Sequence, residues 1–194
     1  GLAYWVDAVA KGHATLADVA ITVLASSQGA DSTLSTLRQQ AADSFTAEVE
    51  ASGSAYSGNA AVEAARVLVR AVTLNTKKVD IDALVKATAA LAEVATKTPD
   101  AVAALGTGSE LLELFDTAQG SADPVSLVDT LVETARSAAA NPSIVATLMR
   151  GGGMPGLLKQ LPEGVTIKDL KDQIGKGGMK AALESLFGDK PGNG

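Results

Sequence analysis

The chain has 194 residues, a formal net charge of −6 at pH 7 and no cysteine. The absence of cysteine excludes a disulfide framework and a thiolate metal site. The sequence is acidic and shows no basic face or stripe. This argues against a nucleic-acid partner and against binding to an anionic membrane surface. Aromatic residues are only 3% of the chain, so alanine, valine and leucine must supply the core. Alanine and leucine favour helices, and we expect an all-α fold.

The apolar segments are short. The best of them, residues 19–25, falls far below the roughly 18 consecutive apolar residues that a membrane-spanning helix needs. We therefore expect no membrane insertion. The basic residues are scattered, apart from a loose cluster between Lys159 and Lys180 that also contains acidic residues.

Two short helices are predicted at the start of the chain. The first covers residues 2–11 and ends at Gly12. The second begins at a Thr15 cap, and Asp18 is placed to favour the positive end of the helix dipole. Its predicted apolar face consists of Leu16, Val19, Ala20, Val23 and Leu24.

Three longer helices are predicted to follow. The third opens at Ser32 or Thr33 and ends at Gly53, the fourth is capped by Asn59, and the fifth is capped by Asp80. The predicted inward face of the third helix is Leu34, Leu37, Ala41, Phe45 and Val49. For the fourth helix it is Val62, Ala65, Leu68, Val69 and Val72. For the fifth helix it is Ile81, Leu84, Val85, Thr88 and Leu91.

Proline marks the later helix starts. Thr98-Pro99, Asp123-Pro124 and Asn141-Pro142 each place a capping side chain before a proline, whose missing N–H costs nothing at the first helical position. Gly151-Gly152-Gly153 is predicted to be a hinge, and Thr166 is predicted to cap a helix beyond it. Together these signals predict an orthogonal or bundle-like array of about nine to eleven short helices without a sheet.

No set of residues forms a recognisable catalytic, cofactor-binding or metal site. His13 is the only histidine, and its place between Gly12 and Thr15 predicts a solvated loop residue. The glycine-rich run at 151–156 lacks the lysine and the preceding strand of a phosphate-binding loop. Glu110, Glu113 and Asp116 share a helix face, for which we predict solvation.

The opening residues carry a resemblance to a known family. The segment Gly1-Leu2-Ala3-Tyr4-Trp5, followed by Gly12 and Thr15-Leu16-Ala17-Asp18, resembles the bacterial domain of unknown function 4214. The resemblance implies a fold like that of phycobilisome linkers, and a secreted protein of the surface-layer or adhesin-like kind, often beside calcium-binding repeats. It implies no catalytic residue, and calcium is expected only in neighbouring repeats. The family motif and candidate anchor consist of Gly1, Leu2, Tyr4 and Trp5.

Three segments are expected on this basis. Residues 1–76 form a helical module that resembles the family and lacks the helix that usually precedes the motif. Residues 77–150 form a helical array, and residues 151–194 form a hinge, a C-terminal helical hairpin and a linker tail. For the adjacent Tyr4 and Trp5 rings, anchoring in the core is the first interpretation and contact with a partner is the second.

The favoured function is a non-catalytic module of a bacterial secreted or cell-surface protein. It would attach to surface polysaccharide or mediate protein–protein assembly, including assembly with itself as an oligomer. One alternative is a helical enzyme domain that uses carboxylates on a glycan or small molecule, which requires a deep pocket enclosing two acids. Another is an intracellular scaffold that binds partner helices, which requires an exposed stripe of Leu157, Leu158, Leu161 and Leu183.

Overall fold

The computed structural model describes residues 2–26, 28–106, 108–117 and 123–187. Eleven helices and no strand occur in these residues, which confirms the predicted all-α fold. In chain order the helices are α1 (Leu2–Ala10), α2 (Leu16–Ala25), α3 (Ala30–Ser52), α4 (Gly58–Ala71), α5 (Lys78–Lys97), α6 (Pro99–Ala103), α7 (Gly108–Thr117), α8 (Pro124–Ala140), α9 (Pro142–Gly151), α10 (Gly153–Lys159) and α11 (Ile167–Phe187).

Helices α5 and α8 form the centre of the molecule and pack against each other. Helices α3, α4 and α6 pack on α5, while α9 and α11 pack on α8. The buried apolar side chains form one cluster that runs from Ala41 to Ala182. The predicted inward face of the fifth helix is confirmed, because all five of its residues are buried. One hydrophobic core therefore spans the three segments expected from the sequence.

The face buried by α4 coincides only partly with the predicted one. Val62 and Val69 are 41% and 40% exposed, whereas Leu68 and Val72, which follows the helix, are buried as predicted. The other buried residues of α4 are Ala61, Ala64, Val67 and Ala71. The reason is close packing against α5, because small alanine side chains let two helix axes approach. A prediction based on large apolar residues did not identify a buried face made largely of alanine.

The proline-linked helix starts agree with the sequence at two of three positions. The Asp123 carboxylate accepts a hydrogen bond from the backbone N–H of Ser126 at 3.2 Å. The Asn141 side chain accepts one from the backbone N–H of Ser143 at 3.1 Å. Thr98 makes no such bond, so the predicted cap there is wrong. Pro99 still occupies the first turn of its helix.

Three other helices begin a few residues before their predicted caps. The capping positions are Gly29 for α3, Ser57 for α4 and Lys77 for α5. Asp80 lies in the first turn of α5, where its carboxylate accepts a hydrogen bond from the Lys77 backbone N–H at 3.2 Å. A carboxylate in this position also favours the helix dipole. The side chain thus stabilises the helix start from inside the first turn.

The last glycine of the predicted hinge, Gly153, forms a packed junction. Gly153 is buried and has a positive φ of 66°. A Cβ at Gly153 would lie 2.4 Å from the carbonyl oxygen of Leu105, so only glycine fits. The backbone N–H of Met154 donates to the same oxygen at 2.7 Å. This junction packs the start of α10 against Leu105, which follows α6.

The C-terminal segment forms two helical stretches joined by a kink. Thr166 caps the first as predicted, because its hydroxyl accepts from the backbone N–H of Asp169 at 3.2 Å. Gly178 then interrupts α11 with a positive φ of 76°. Leu170, Ile174 and Met179 are buried where α11 packs along α8. The predicted linker tail at 188–194 lies outside the described residues.

Candidate interaction surfaces

Helices α1 and α2 form what we call the N-terminal arm, residues 2–25. Neither helix packs extensively against any other described helix. None of the arm's described side chains is buried, and the core begins only at Ala41. With nine and ten residues, the two helices are shorter than the roughly 12–15 residues at which an isolated helix becomes stable in water.

The arm is apolar as well as exposed. Of the eleven large hydrophobic side chains that are exposed in the described chain, five lie on it. They are Tyr4 (67% exposed), Val6 (60%), Leu16 (77%), Ile21 (66%) and Val23 (51%). Scattered exposed apolar residues are normal, but their concentration on the arm makes it a candidate interaction site.

The aromatic motif lies on this surface and outside the core. The Tyr4 and Trp5 rings contact each other edge to face, with centroids 5.1 Å apart and an interplanar angle of 75°. Trp5 is half-buried and Tyr4 is exposed. The expectation of a core anchor is therefore wrong for both rings. Leu2 begins α1, while Gly1 and the Leu2 side chain lie outside what the structure describes.

The start of α2 is fixed by local hydrogen bonds. The Thr15 hydroxyl donates to the Asp18 carboxylate at 2.7 Å, and the Asp18 backbone N–H donates to the Thr15 hydroxyl at 3.1 Å. The side-chain bond from Thr15, followed by its backbone N–H bond, lowers the pKa of Asp18. The predicted cap is confirmed. His13 is exposed in the preceding loop, as predicted.

A second surface feature is an open groove between α5, α8 and α11. Its volume is about 640 Å³, and no described residue fills it. The floor is built from small or apolar residues, namely Ala87, Ala90, Val132 and Gly175. The charged residues that line it are Lys86, Asp129, Glu133, Arg136, Lys171, Asp172 and Lys176.

Two of the groove's acids are held in ion pairs. Lys171 Nζ lies 2.5 Å from Asp129 Oδ2 and links α11 to α8, while Arg136 lies 2.8 Å from Glu133 on the same helix. The sequence pointed to a mixed cluster between Lys159 and Lys180, but it could not show that α5 and α8 complete a groove with it. That juxtaposition depends on packing between distant segments.

Two features that the alternative functions require can be compared with the described residues. Leu157 is buried, and Leu158, Leu161 and Leu183 pack partly buried against the core, so the exposed leucine stripe required of a scaffold is missing. The groove is open, and its Asp129 and Glu133 are neutralised by basic partners, unlike the enclosed acid pair required of an enzyme.

The described residues contain neither a candidate metal cluster nor a helix that could span a membrane. No group of three or more histidine, cysteine, aspartate or glutamate side chains there could hold a metal ion. None of the described helices combines the length and hydrophobicity needed to span a membrane. The chain matches no protein-family model, no curated protein and no solved structure. The resemblance of the opening residues to a bacterial family therefore stays a prediction.

Proposed function

We propose that this protein is a non-catalytic assembly module of a bacterial secreted or cell-surface protein, and that the N-terminal arm binds a partner protein. The observation that carries the proposal is the exposure of five large apolar side chains on two short helices without extensive tertiary packing. The bacterial surface location follows from the resemblance of the opening residues.

Binding through the arm is energetically reasonable. Complete burial of a large apolar side chain contributes roughly 1.5–3 kcal/mol. Several such side chains can therefore offset part of the loss of translational and rotational freedom on association. A partner would also stabilise two helices that are too short to be stable alone. These considerations favour an apolar helical face as the partner surface.

The partner to test first is a second copy of the chain, because it is present in every preparation. Val6 on α1 and Ile21 on α2 supply the most suitable substitutions, since both are exposed and neither supports the core. In a V6E/I21E variant the two carboxylates would oppose burial of the arm. The matched control is V62E/V69E, which places the same charges on exposed valines of α4.

The experiment is sedimentation velocity over a concentration series, followed by cosedimentation with bacterial cell envelopes and purified surface polysaccharide. We expect concentration-dependent association or envelope binding that V6E/I21E abolishes and V62E/V69E retains. Binding to polysaccharide alone would move the proposal from protein assembly to glycan attachment, for which the exposed Tyr4 ring offers a stacking surface. An arm variant that bound as well as the original chain, or no binding in any assay, would refute the proposal.

A further inference from the structure

The groove between α5, α8 and α11 has features that protein assembly through the arm does not use. We propose that it binds a small organic anion, with a carboxylate or phosphate group held by Lys86, Lys176 and Arg136 and an apolar body resting on the groove floor. This site is independent of the N-terminal arm, since no arm residue lines it.

The charge balance of the groove favours an anion. Of its seven charged residues, Asp129 and Glu133 are already paired with Lys171 and Arg136. Among the described residues, neither Lys86 nor Lys176 forms a salt bridge, and Asp172 is the one remaining acid of the lining. The groove is thus locally positive in a chain whose net charge is −6.

The basic residues suit oxygen anions chemically. Lysine presents a compact charge with three donors, which matches the oxygens of a carboxylate or phosphate. Arg136 contacts Glu133 through one nitrogen, and a guanidinium carries five donors in all. Lys86 comes from α5, Arg136 from α8 and Lys176 from α11, so all three walls can contribute to one ligand.

The walls of the groove are held together in the absence of a ligand. The Lys171–Asp129 ion pair is only about one-third exposed, with side-chain exposures of 34% and 33%, and it joins the α11 wall to the α8 wall. Helix α11 also packs closely along α8. Walls that are already in place reduce the ordering cost of binding.

The floor leaves room for the rest of the ligand. A Cβ at Gly175 would meet no heavy atom within 4 Å, so the space above this glycine is open. Ala87, Ala90 and Val132 give the remainder of the floor an apolar character. The groove volume of about 640 Å³ lies within the roughly 300–1,000 Å³ typical of small-molecule sites.

The test is an NMR titration of the ¹⁵N-labelled chain with phenyl phosphate, benzoate, inorganic phosphate and benzyl alcohol. We expect phenyl phosphate or benzoate to shift amide signals around the groove, with weaker shifts from inorganic phosphate and none from the neutral alcohol. The stronger of the two aromatic ligands identifies the preferred anionic group. Shifts should diminish as salt is added.

Two variants locate the site. K86Q/K176Q should weaken binding at least about tenfold, because two charge-assisted interactions are lost. G175L should block the floor, and a Cβ at this position meets no heavy atom within 4 Å. The matched control K78Q/K168Q removes the same charge from exposed positions of the same two helices, outside the groove lining.

Circular dichroism and thermal unfolding verify that each variant is folded before titration. Equal weakening by K86Q/K176Q and K78Q/K168Q would mean that only net charge matters and would overturn the proposal. So would an absence of groove shifts with both aromatic anions, or unaltered binding in folded G175L. Because the arm is untouched, these outcomes leave the sedimentation result for the arm unaffected.

Discussion

The N-terminal arm and the core helix α5 are built from similar residues but have opposite surroundings. Leu16 on the arm is 77% exposed, whereas Leu84 on α5 is fully buried. Helix α5 is covered by α3, α4, α6 and α8, while neither arm helix has an extensive neighbour among the described helices. An apolar helical face therefore identifies a surface to be covered, without showing whether the chain itself covers it.

The largest expected difference between the two regions is in local stability. We expect arm amides to exchange through openings that cost close to zero, and α5 and α8 amides to approach the global unfolding free energy, commonly about 5–15 kcal/mol. Hydrogen–deuterium exchange at low micromolar concentration measures both. A rise in arm protection with concentration would indicate association. If the arm were as protected as the core at the lowest concentration, the expected difference in local stability would be contradicted.

Truncation of equivalent leucines should reveal the same contrast. Leu84→Ala should lower the free energy of unfolding by about 2–5 kcal/mol, because it removes buried methyl groups and leaves a cavity. Leu16→Ala is the matched control and should change it by less than about 0.5 kcal/mol. Urea denaturation followed by circular dichroism gives both values. A comparable loss in the two variants would place the arm within the cooperative core.

A left-handed glycine in the packed part of the molecule should also differ from one in the arm. Gly153→Ala should cost more than about 2 kcal/mol, since a positive φ alone costs roughly 1–2 kcal/mol and the new Cβ would overlap the Leu105 carbonyl. Gly12, with a φ of 71°, has nothing within 4 Å of a Cβ. Gly12→Ala should therefore change the local stability of the arm and leave the global free energy of unfolding unchanged. Thermal unfolding tests this, and equal shifts in melting temperature would count against the packed junction.

A smaller effect is expected from the polar residues inside the core. The Thr88 hydroxyl is buried without a hydrogen-bond partner, whereas the buried Thr134 hydroxyl donates to the Thr130 carbonyl at 2.7 Å. Thr88→Val should raise the free energy of unfolding by about 1 kcal/mol, because it removes an unsatisfied polar group. Thr134→Val should not raise the free energy of unfolding. Destabilisation by Thr88→Val in urea denaturation would show that its hydroxyl has a partner in solution.

The smallest effect concerns pH. Threonine hydrogen bonds lower the pKa of Asp18 on the arm and of Asp169 at the start of α11. Because the folded pKa lies below the unfolded value of about 3.9, each contribution is fully present above that value. It is lost as the pH falls through the folded pKa. NMR titration of the carboxyl carbons should show both midpoints below the unfolded value.

Threonine variants separate the two caps. Thr15→Ala and Thr166→Ala should each return the pKa of the neighbouring aspartate toward its ordinary value. Only Thr166→Ala should also lower the global free energy of unfolding, since α11 packs on α8 and the arm packs extensively on nothing described. This loss should be complete above the unfolded pKa of about 3.9 and should vanish as the pH falls through the folded pKa of Asp169. Unchanged midpoints in both variants would show that the threonine bonds do not control these carboxylates.

Sequence patterns predicted helix content and many boundaries because these depend on interactions within one turn. Asp123 before Pro124 is a helix start in any surroundings, and the Thr15–Asp18 bonds form on the arm without extensive tertiary support. The aromatic motif was noticed, but its location outside the core was not predicted. The groove was missed because Lys86 and Lys176 are far apart in sequence.

Local sequence signals suffice to predict that this protein is helical, that helices end at Gly12 and Gly53, and which residues of α5 point inward. Three other features depend on tertiary packing: α4 buries alanines in place of Val62 and Val69, Gly153 packs against Leu105, and the apolar arm is exposed. The difference arises because the interactions involved act over different distances along the chain. Caps and helical periodicity act over a few residues, while burial depends on which distant segments come together.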